Sequence, residues 1–195
     1  MTTTVGVLAL QGDVAEHLAM LTCGGVDVVA VKHADQLADL DGLVIPGGES
    51  TTIGKLLMLF DLMDPLRQRI AEGMGVFGTC AGAILLADTA LHHDGRPSDQ
   101  PLLHAMDTTV RRNAFGRQVD SFEAQLQVRG ITDGPIHAVF IRAPVIERAG
   151  EGVEVLATVG DTIVVCRQGR LLASSFHPEL TDDPRLHEFF IEMVR

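Results

Sequence analysis

The sequence predicts an α/β protein, a three-layer arrangement in which a mixed, mostly parallel central sheet carries helices on both faces. Two observations lead there. In the first half, short unbroken apolar runs alternate with helix-like patterns across glycine-containing turns, which is how parallel strands covered on both faces read. In the second half, apolar runs follow one another with tight turns such as Gly160-Asp161 and Gln168-Gly169, which favours antiparallel hairpins joined to the same layer.

Taken in order, the apolar run at 5–10 is a strand ended by Gln11, Gly12 and Asp13, the pattern around 15–21 is helical, and Gly24 and Gly25 precede a second strand at 26–31. A third strand, 43–45, ends in a glycine loop; 53–63 then reads as a helix, 75–77 as a short buried strand and 81–91 as a further helix. The polar stretch 92–100, with Gly95 and Pro97, lacks apolar periodicity and is expected to be a surface loop. Strands are predicted at 139–141, 153–159, 163–166 and 171–176. A closing helix is predicted over 184–194, with Asp182 or Asp183 as N-cap and Pro184 near its first turn.

At 195 residues the chain is expected to form one domain, residues 1–195. Its 15 Lys and Arg against 26 Asp and Glu leave a net charge of −11, which argues against nucleic acid because phosphate binding needs a basic stripe. The one dense basic group, Arg111, Arg112 and Arg117, suits a local anion site instead. Three widely spaced cysteines, Cys23, Cys80 and Cys166, fit neither a disulfide framework nor a zinc site. A reducing, cytoplasmic setting is expected, since no secretory start and no run of the ~20 apolar residues of a membrane helix is present. No metal and no cofactor is expected, because the histidines at 17, 33, 92, 93, 104, 137 and 187 show no ligand spacing and are read as solvated or core residues.

Three segments carry chemistry. Gly78-Thr79-Cys80-Ala81-Gly82 lies where the strand at 75–77 meets a helix. A nucleophile at such a turn stands above the sheet, its flanking glycines relieve clashes, and the following helix N-terminus favours a thiolate. A lone cysteine is otherwise usually a small core residue; the glycines and the setting favour the nucleophile. His177-Pro178-Glu179 follows the last strand, and residues two apart in extended chain share a side. Glu179 is therefore placed to hold one ring nitrogen of His177 while the other faces a thiol. Read alone, the tripeptide fits a solvated turn equally well. Pro46-Gly47-Gly48-Glu49-Ser50-Thr51 closes the third strand, and backbone N–H groups of Gly47 and Gly48, with that of Ala81, are the expected oxyanion donors. A phosphate-binding turn and a plain turn with Ser50 as N-cap are the competing readings.

In this order the three motifs resemble the class I (triad) glutamine amidotransferases. Leu10-Gln11-Gly12, the block from Arg112 to Gln118 followed by Asp120-Ser121-Phe122-Glu123, Phe140-Ile141-Arg142-Ala143-Pro144 and Ser175 to Leu180 are similar, across essentially the whole chain, to the glutaminase subunits of pyridoxal phosphate synthase. The resemblance implies hydrolysis of L-glutamine through a thioester on Cys80, with ammonia passed to a synthase subunit. It also implies a glutamine pocket formed by Gly48, Glu49, Ser50, Arg112, Ile141 and Arg142, and activation on docking of the synthase near the Gly47-Gly48 loop. The alternatives are other amidotransferase subunits, cysteine-elbow α/β hydrolases and an inactive scaffold subunit. Against the family pattern, 92–100 is longer and Arg111 stands where an acidic residue is commoner.

Overall fold

A computed structural model of the chain describes residues 2–112 and 121–195. Arg117 and the motif residues 113–118 and Asp120 lie outside the described residues. The first half runs β1 (Thr4–Leu8), α1 (Val14–Cys23), β2 (Asp27–Val31), β3 (Gly42–Ile45), α2 (Ser50–Leu59), α3 (Met63–Ala71), β4 (Gly75–Thr79) and α4 (Ala81–Leu86). The second half runs β5 (Ala87–Leu91), β6 (Met106–Arg111), β7 (Ser121–Leu126), β8 (Ile136–Ile141), β9 (Val145–Ala149), β10 (Glu154–Val159), β11 (Thr162–Gln168), β12 (Leu171–Ser174) and α5 (Arg185–Val194).

The central sheet has the order β2-β1-β3-β4-β12-β11-β9-β6-β5, with β10 paired to β11. From β2 through β12 neighbouring strands are parallel, as are β5 and β6, while β11 joins β12, β9 and β10 antiparallel. Strands β3, β4 and β12 are buried at every residue, which is why their sequences read as unbroken apolar runs. Alternate side chains serve opposite faces. Leu43, Ile45 and Val76 pack with α2, α3 and α4 residues such as Ile53, Leu66 and Leu85. Val44 and Phe77 pack on the other face with Leu21 of α1 and with Phe190 and Ile191 of α5. The three-layer, mixed sheet expected from the sequence is the fold observed.

Several boundaries differ from expectation. The helix expected over 53–63 is two helices, because α2 closes at Phe60 and Asp61 turns to a left-handed φ of 53°. There the Leu62 N–H reaches back to the Leu57 carbonyl at 2.8 Å, the bond of a Schellman-type ending. The helix expected over 81–91 stops at Leu86, and Ala87–Leu91 becomes a strand paired with β6; a partner strand outweighs the helical preference of alanine-rich sequence. Strands β6, β7 and β9 are additional to those expected. The stretch 92–100 is largely exposed, but it ends in buried Gln100. The final helix starts at Arg185, with Pro184 at the cap position and the Asp183 carboxylate accepting from the Arg185 N–H at 3.1 Å. Strands β7 and β8 form a separate two-stranded sheet.

Helix α4 sits directly on β3. A methyl group at Gly82 would lie 2.1 Å from the Ile45 carbonyl oxygen, and one at Gly78 would lie 2.5 Å from the Gly82 carbonyl. Gly82→Ala is therefore expected to cost about 2 kcal/mol through overpacking, a fall in melting temperature of roughly 4–8 °C for a chain of this size. An unchanged thermal transition would show that α4 can lift from β3 without cost.

Candidate active site

Cys80 occupies the turn between β4 and α4 with φ 48° and ψ −98°, a backbone conformation rare for a residue with a side chain. The turn is held because the Cys80 N–H donates to the Ser174 carbonyl of neighbouring β12 at 2.8 Å. The same strand leads to His177, whose N–H donates to the Val139 carbonyl of β8 at 2.9 Å. Parallel pairing of β4 with β12 thus brings Cys80 and His177, distant in sequence, to one sheet edge.

Cys80, His177 and Glu179, expected to act together, lie in contact. His177 Nδ1–H donates to Glu179 Oε1 at 2.8 Å, and the ring is also hydrogen-bonded to the Cys80 sulfur. Glu179 is 4% exposed, so it sits behind His177 and is shut from solvent. Burial alone would lower the imidazole, yet the Cys80 and Glu179 hydrogen bonds and charges raise it from its ordinary 6.5 to about 10. His177 is therefore an imidazolium at neutral pH, a proton donor in waiting. Burial pushes the Glu179 carboxyl up, and the hydrogen bond and charge of His177 pull it back; with a cation at 2.8 Å, the carboxylate form is the one this pair holds.

A cavity of about 480 Å³ opens over these groups, within the usual size of small-molecule sites. Of the residues singled out from sequence, Gly48, Glu49, Ser50, Cys80, Ala81, Arg112, Ile141, Arg142 and His177 line it. Glu179 and Gly47 do not. Gly47 flanks the imidazole, since a methyl group there would lie 2.4 Å from His177 Cε1. Ser50 is buried and donates its hydroxyl to Gln100 Oε1 at 3.1 Å. The N-cap of α2 is Glu49, one residue before the Ser50 of the competing plain-turn reading, its carboxylate accepting from the Thr52 N–H at 2.7 Å. Against the raising effect of burial, hydrogen bonds from Thr51 and Thr52 draw Glu49 down to about 2. Its other oxygen accepts from Arg112 at 2.9 Å. Arg111 is spent elsewhere, on Glu147. A cleft of about 570 Å³ between α3 and the β11–β12 turn holds no nucleophile and lies apart from this site.

The model of the SNO glutamine amidotransferase family matches residues 7–195. The chain belongs to that family. It is 62% identical to the pyridoxal 5'-phosphate synthase subunit PdxT of Parafrankia sp. (strain EAN1pec), covering 98% of this chain and 93% of that one. It is 60% identical to the protein of the same description from Frankia casuarinae, over 98% and 94% of the two chains. A crystal structure of a glutamine amidotransferase superposes with a TM-score of 0.91 at 54% identity, covering 97% of this chain and 98% of that one. The structure of PurLQS from Thermotoga maritima, 13% identical, shares the fold at a TM-score of 0.70 over 100% and 98% of the two chains.

In this member of the amidotransferase family, two polar cavity residues, Gln11 and Asp13, join the site without having been read from sequence as part of it. Asp13 Oδ2 lies 3.2 Å from His177 Nδ1, beside the Glu179 bond. Gln11 Oε1 accepts from the Glu49 N–H at 2.8 Å. Both depend on close approach of two loops: the Asp13 N–H donates to the Gly47 carbonyl at 3.2 Å, and a methyl group at Gly12, whose φ is +107°, would lie 1.8 Å from that oxygen. The available signal was position, since both residues follow directly on β1, at the carboxyl edge where ligands of open α/β sheets bind.

Proposed function

We propose that this chain is a glutaminase subunit that hydrolyses L-glutamine to L-glutamate and ammonia, and that the ammonia goes to a synthase subunit making pyridoxal 5'-phosphate. The observation that carries the reading is the Cys80–His177–Glu179 arrangement beneath a cavity lined by both cations and anions. Glutamine is a zwitterion with a neutral amide end. Arg112 and Arg142 are suited to its α-carboxylate, Glu49 and Asp13 to its ammonium, and the amide is left for Cys80. The names of the PdxT relatives supply the synthase.

The chemistry follows from the side chains. The Cys80 sulfur attacks the side-chain amide carbon, and the tetrahedral oxyanion is held by backbone N–H groups of Gly48, with its neighbour Gly47, and of Ala81. His177 gives its proton to the amide nitrogen, the C–N bond breaks, and ammonia leaves a thioester on Cys80. Water then attacks the thioester while neutral His177 takes its proton, releasing glutamate and restoring the starting charges. The free cysteines Cys23, Cys80 and Cys166 suit a reducing cytoplasm. Among the described residues no helix is long and apolar enough to cross a membrane.

Docking of the synthase is assigned the role of switch. The Gly47 carbonyl is tied to Asp13, so the orientation of the Gly47–Gly48 peptide is set by the Gly12–Asp13 turn. A partner pressing on that turn biases the peptide between two orientations. The test is amide-¹⁵N glutamine with and without a pyridoxal phosphate synthase subunit. Turnover should rise in the complex and ¹⁵N should enter the pyridine ring. Glutamate release that is equally fast without the synthase would refute the switch, and no release in either case would refute the function.

A further inference from the structure

Behind the triad lies a second buried polar group to which the reaction assigns no part. His17 of α1 and His187 of α5 are both 0% exposed. His17 Nδ1 lies 2.8 Å from His187 Nε2, and His17 Nε2 lies 3.1 Å from Thr79 Oγ1 and 3.4 Å from Glu179 Oε2. Glu179 spends Oε1 on His177; among the described residues its Oε2 accepts no hydrogen bond, although it is buried. His187 Nδ1 is likewise without a partner among them. The chain thus runs in unbroken contact from α5 through α1 to the carboxylate that orients the base.

Burial holds both rings neutral, His17 well below its ordinary range and His187 down to about 4. Each ring therefore carries one proton, and two arrangements are possible. In the first, His17 Nε2–H points at Glu179 Oε2, bare His17 Nδ1 accepts from His187 Nε2–H, and the partnerless His187 Nδ1 is a lone pair. In the second, His17 Nδ1–H donates to His187 Nε2, a buried N–H is orphaned on His187, and a lone pair on His17 faces the carboxylate oxygen. Orphaned donors and facing lone pairs are both costly, so the first arrangement is selected at both ends.

We propose that His17 is a positioning residue for the glutaminase reaction: its Nε2–H, fixed in that tautomer by His187, holds Glu179 Oε2 so that Oε1 stays aimed at His177. The inference rests on the glutaminase reading of the site. A carboxylate with nothing facing its second oxygen can turn about its terminal bond; an N–H dipole 3.4 Å from that oxygen opposes the turn, and the imidazole that depends on the carboxylate keeps its aim at Cys80. Thr79, next to the nucleophile, shares the same His17 proton, so the nucleophile's strand and the base's orienter meet on one ring.

Two experiments test this. Imidazole ¹⁵N NMR of the unmodified protein near neutral pH should find His17 neutral with its proton on Nε2; a proton on Nδ1 overturns the proposal, and no variant has to fold for that result. Kinetically, His17→Phe should lower kcat about tenfold or more, the scale of one lost hydrogen bond to a charged group, with KM unchanged. His17→Gln, whose amide donates to the same oxygen, should keep most of the activity. His17→Phe should add little once Glu179 is replaced by Gln. A folded His17→Phe with full kcat, or an equal loss in the Glu179→Gln background, sinks the positioning role. Full activity in Cys80→Ala would instead sink the glutaminase reading itself.

Discussion

Cys80→Ala is expected to abolish glutamine hydrolysis, with a loss on the order of 10⁴-fold or more, while the protein remains folded. Removal of a covalent nucleophile leaves only binding and oxyanion stabilisation, which contribute little once no thioester can form. The fold should tolerate the change because alanine keeps the Cβ at φ 48° and the N–H that donates to Ser174. A glutamine-like electrophile should label Cys80 in the unmodified protein. Cys23 is exposed but lies outside the cavity, and Cys166 is buried, with its thiol pushed up to about 12 by burial. Peptide mapping after labelling decides the matter, and modification chiefly at either of those cysteines would remove the elbow assignment.

His177→Ala should be nearly as damaging, by about 10³–10⁴-fold, because the same ring donates one proton and later accepts another. Glu179→Gln should cost less, since Glu179 orients the ring and stabilises its charge without transferring a proton. The pH dependence follows the same division. His177 is raised from 6.5 to about 10 in the fold, so its stabilising contribution is fully present below about 6.5 and is lost as pH rises through 10. The alkaline limb of kcat/KM should fall in that upper region and move to lower pH in Glu179→Gln, where the carboxylate charge favouring the imidazolium is gone. Steady-state profiles of both variants check the order of losses and the shift. Two small, equal losses would reduce His177-Pro178-Glu179 to a surface turn.

Much of the site was legible because its chemistry demands rare local sequence. Gly78, Cys80 and Gly82 at a strand-to-helix turn have few other uses, and the approaches of 2.1 Å and 2.5 Å that a methyl group would make at the two glycines supply the steric reason. The central strands were legible for an equally local reason, as β3, β4 and β12 are apolar at nearly every position. What escaped depends on contacts between distant segments. Asp61 takes a left-handed turn without the glycine that would announce it. Ala87–Leu91 looks helical until β6 lies beside it. Asp13 enters the site only because Gly12 lets one loop touch another, and His17 and His187, correctly placed in the core as a possibility, gave no sign of touching each other or Glu179.

The two walls of the cavity have different mechanical support. Cys80 directly follows β4, in the middle of the ten-stranded sheet, whereas Ile141 ends β8 and Arg142 follows it, at the end of a two-stranded ribbon. Phe140 stacks on Phe122 across that ribbon at 4.3 Å, and the ribbon is pinned to the rest of the protein where Phe140 meets Phe176 at 5.3 Å and where the Val139 carbonyl accepts from the His177 N–H. A two-stranded ribbon is marginal without packing of this kind and of its buried Leu126, Ile136 and Ala138, whereas the strands of a broad sheet are held from both sides. When the cavity fills, the ribbon is therefore expected to take up more of the displacement than β4. Because the ribbon also grips the backbone of His177, flexing of the rim is expected to reach His177 before it reaches Cys80.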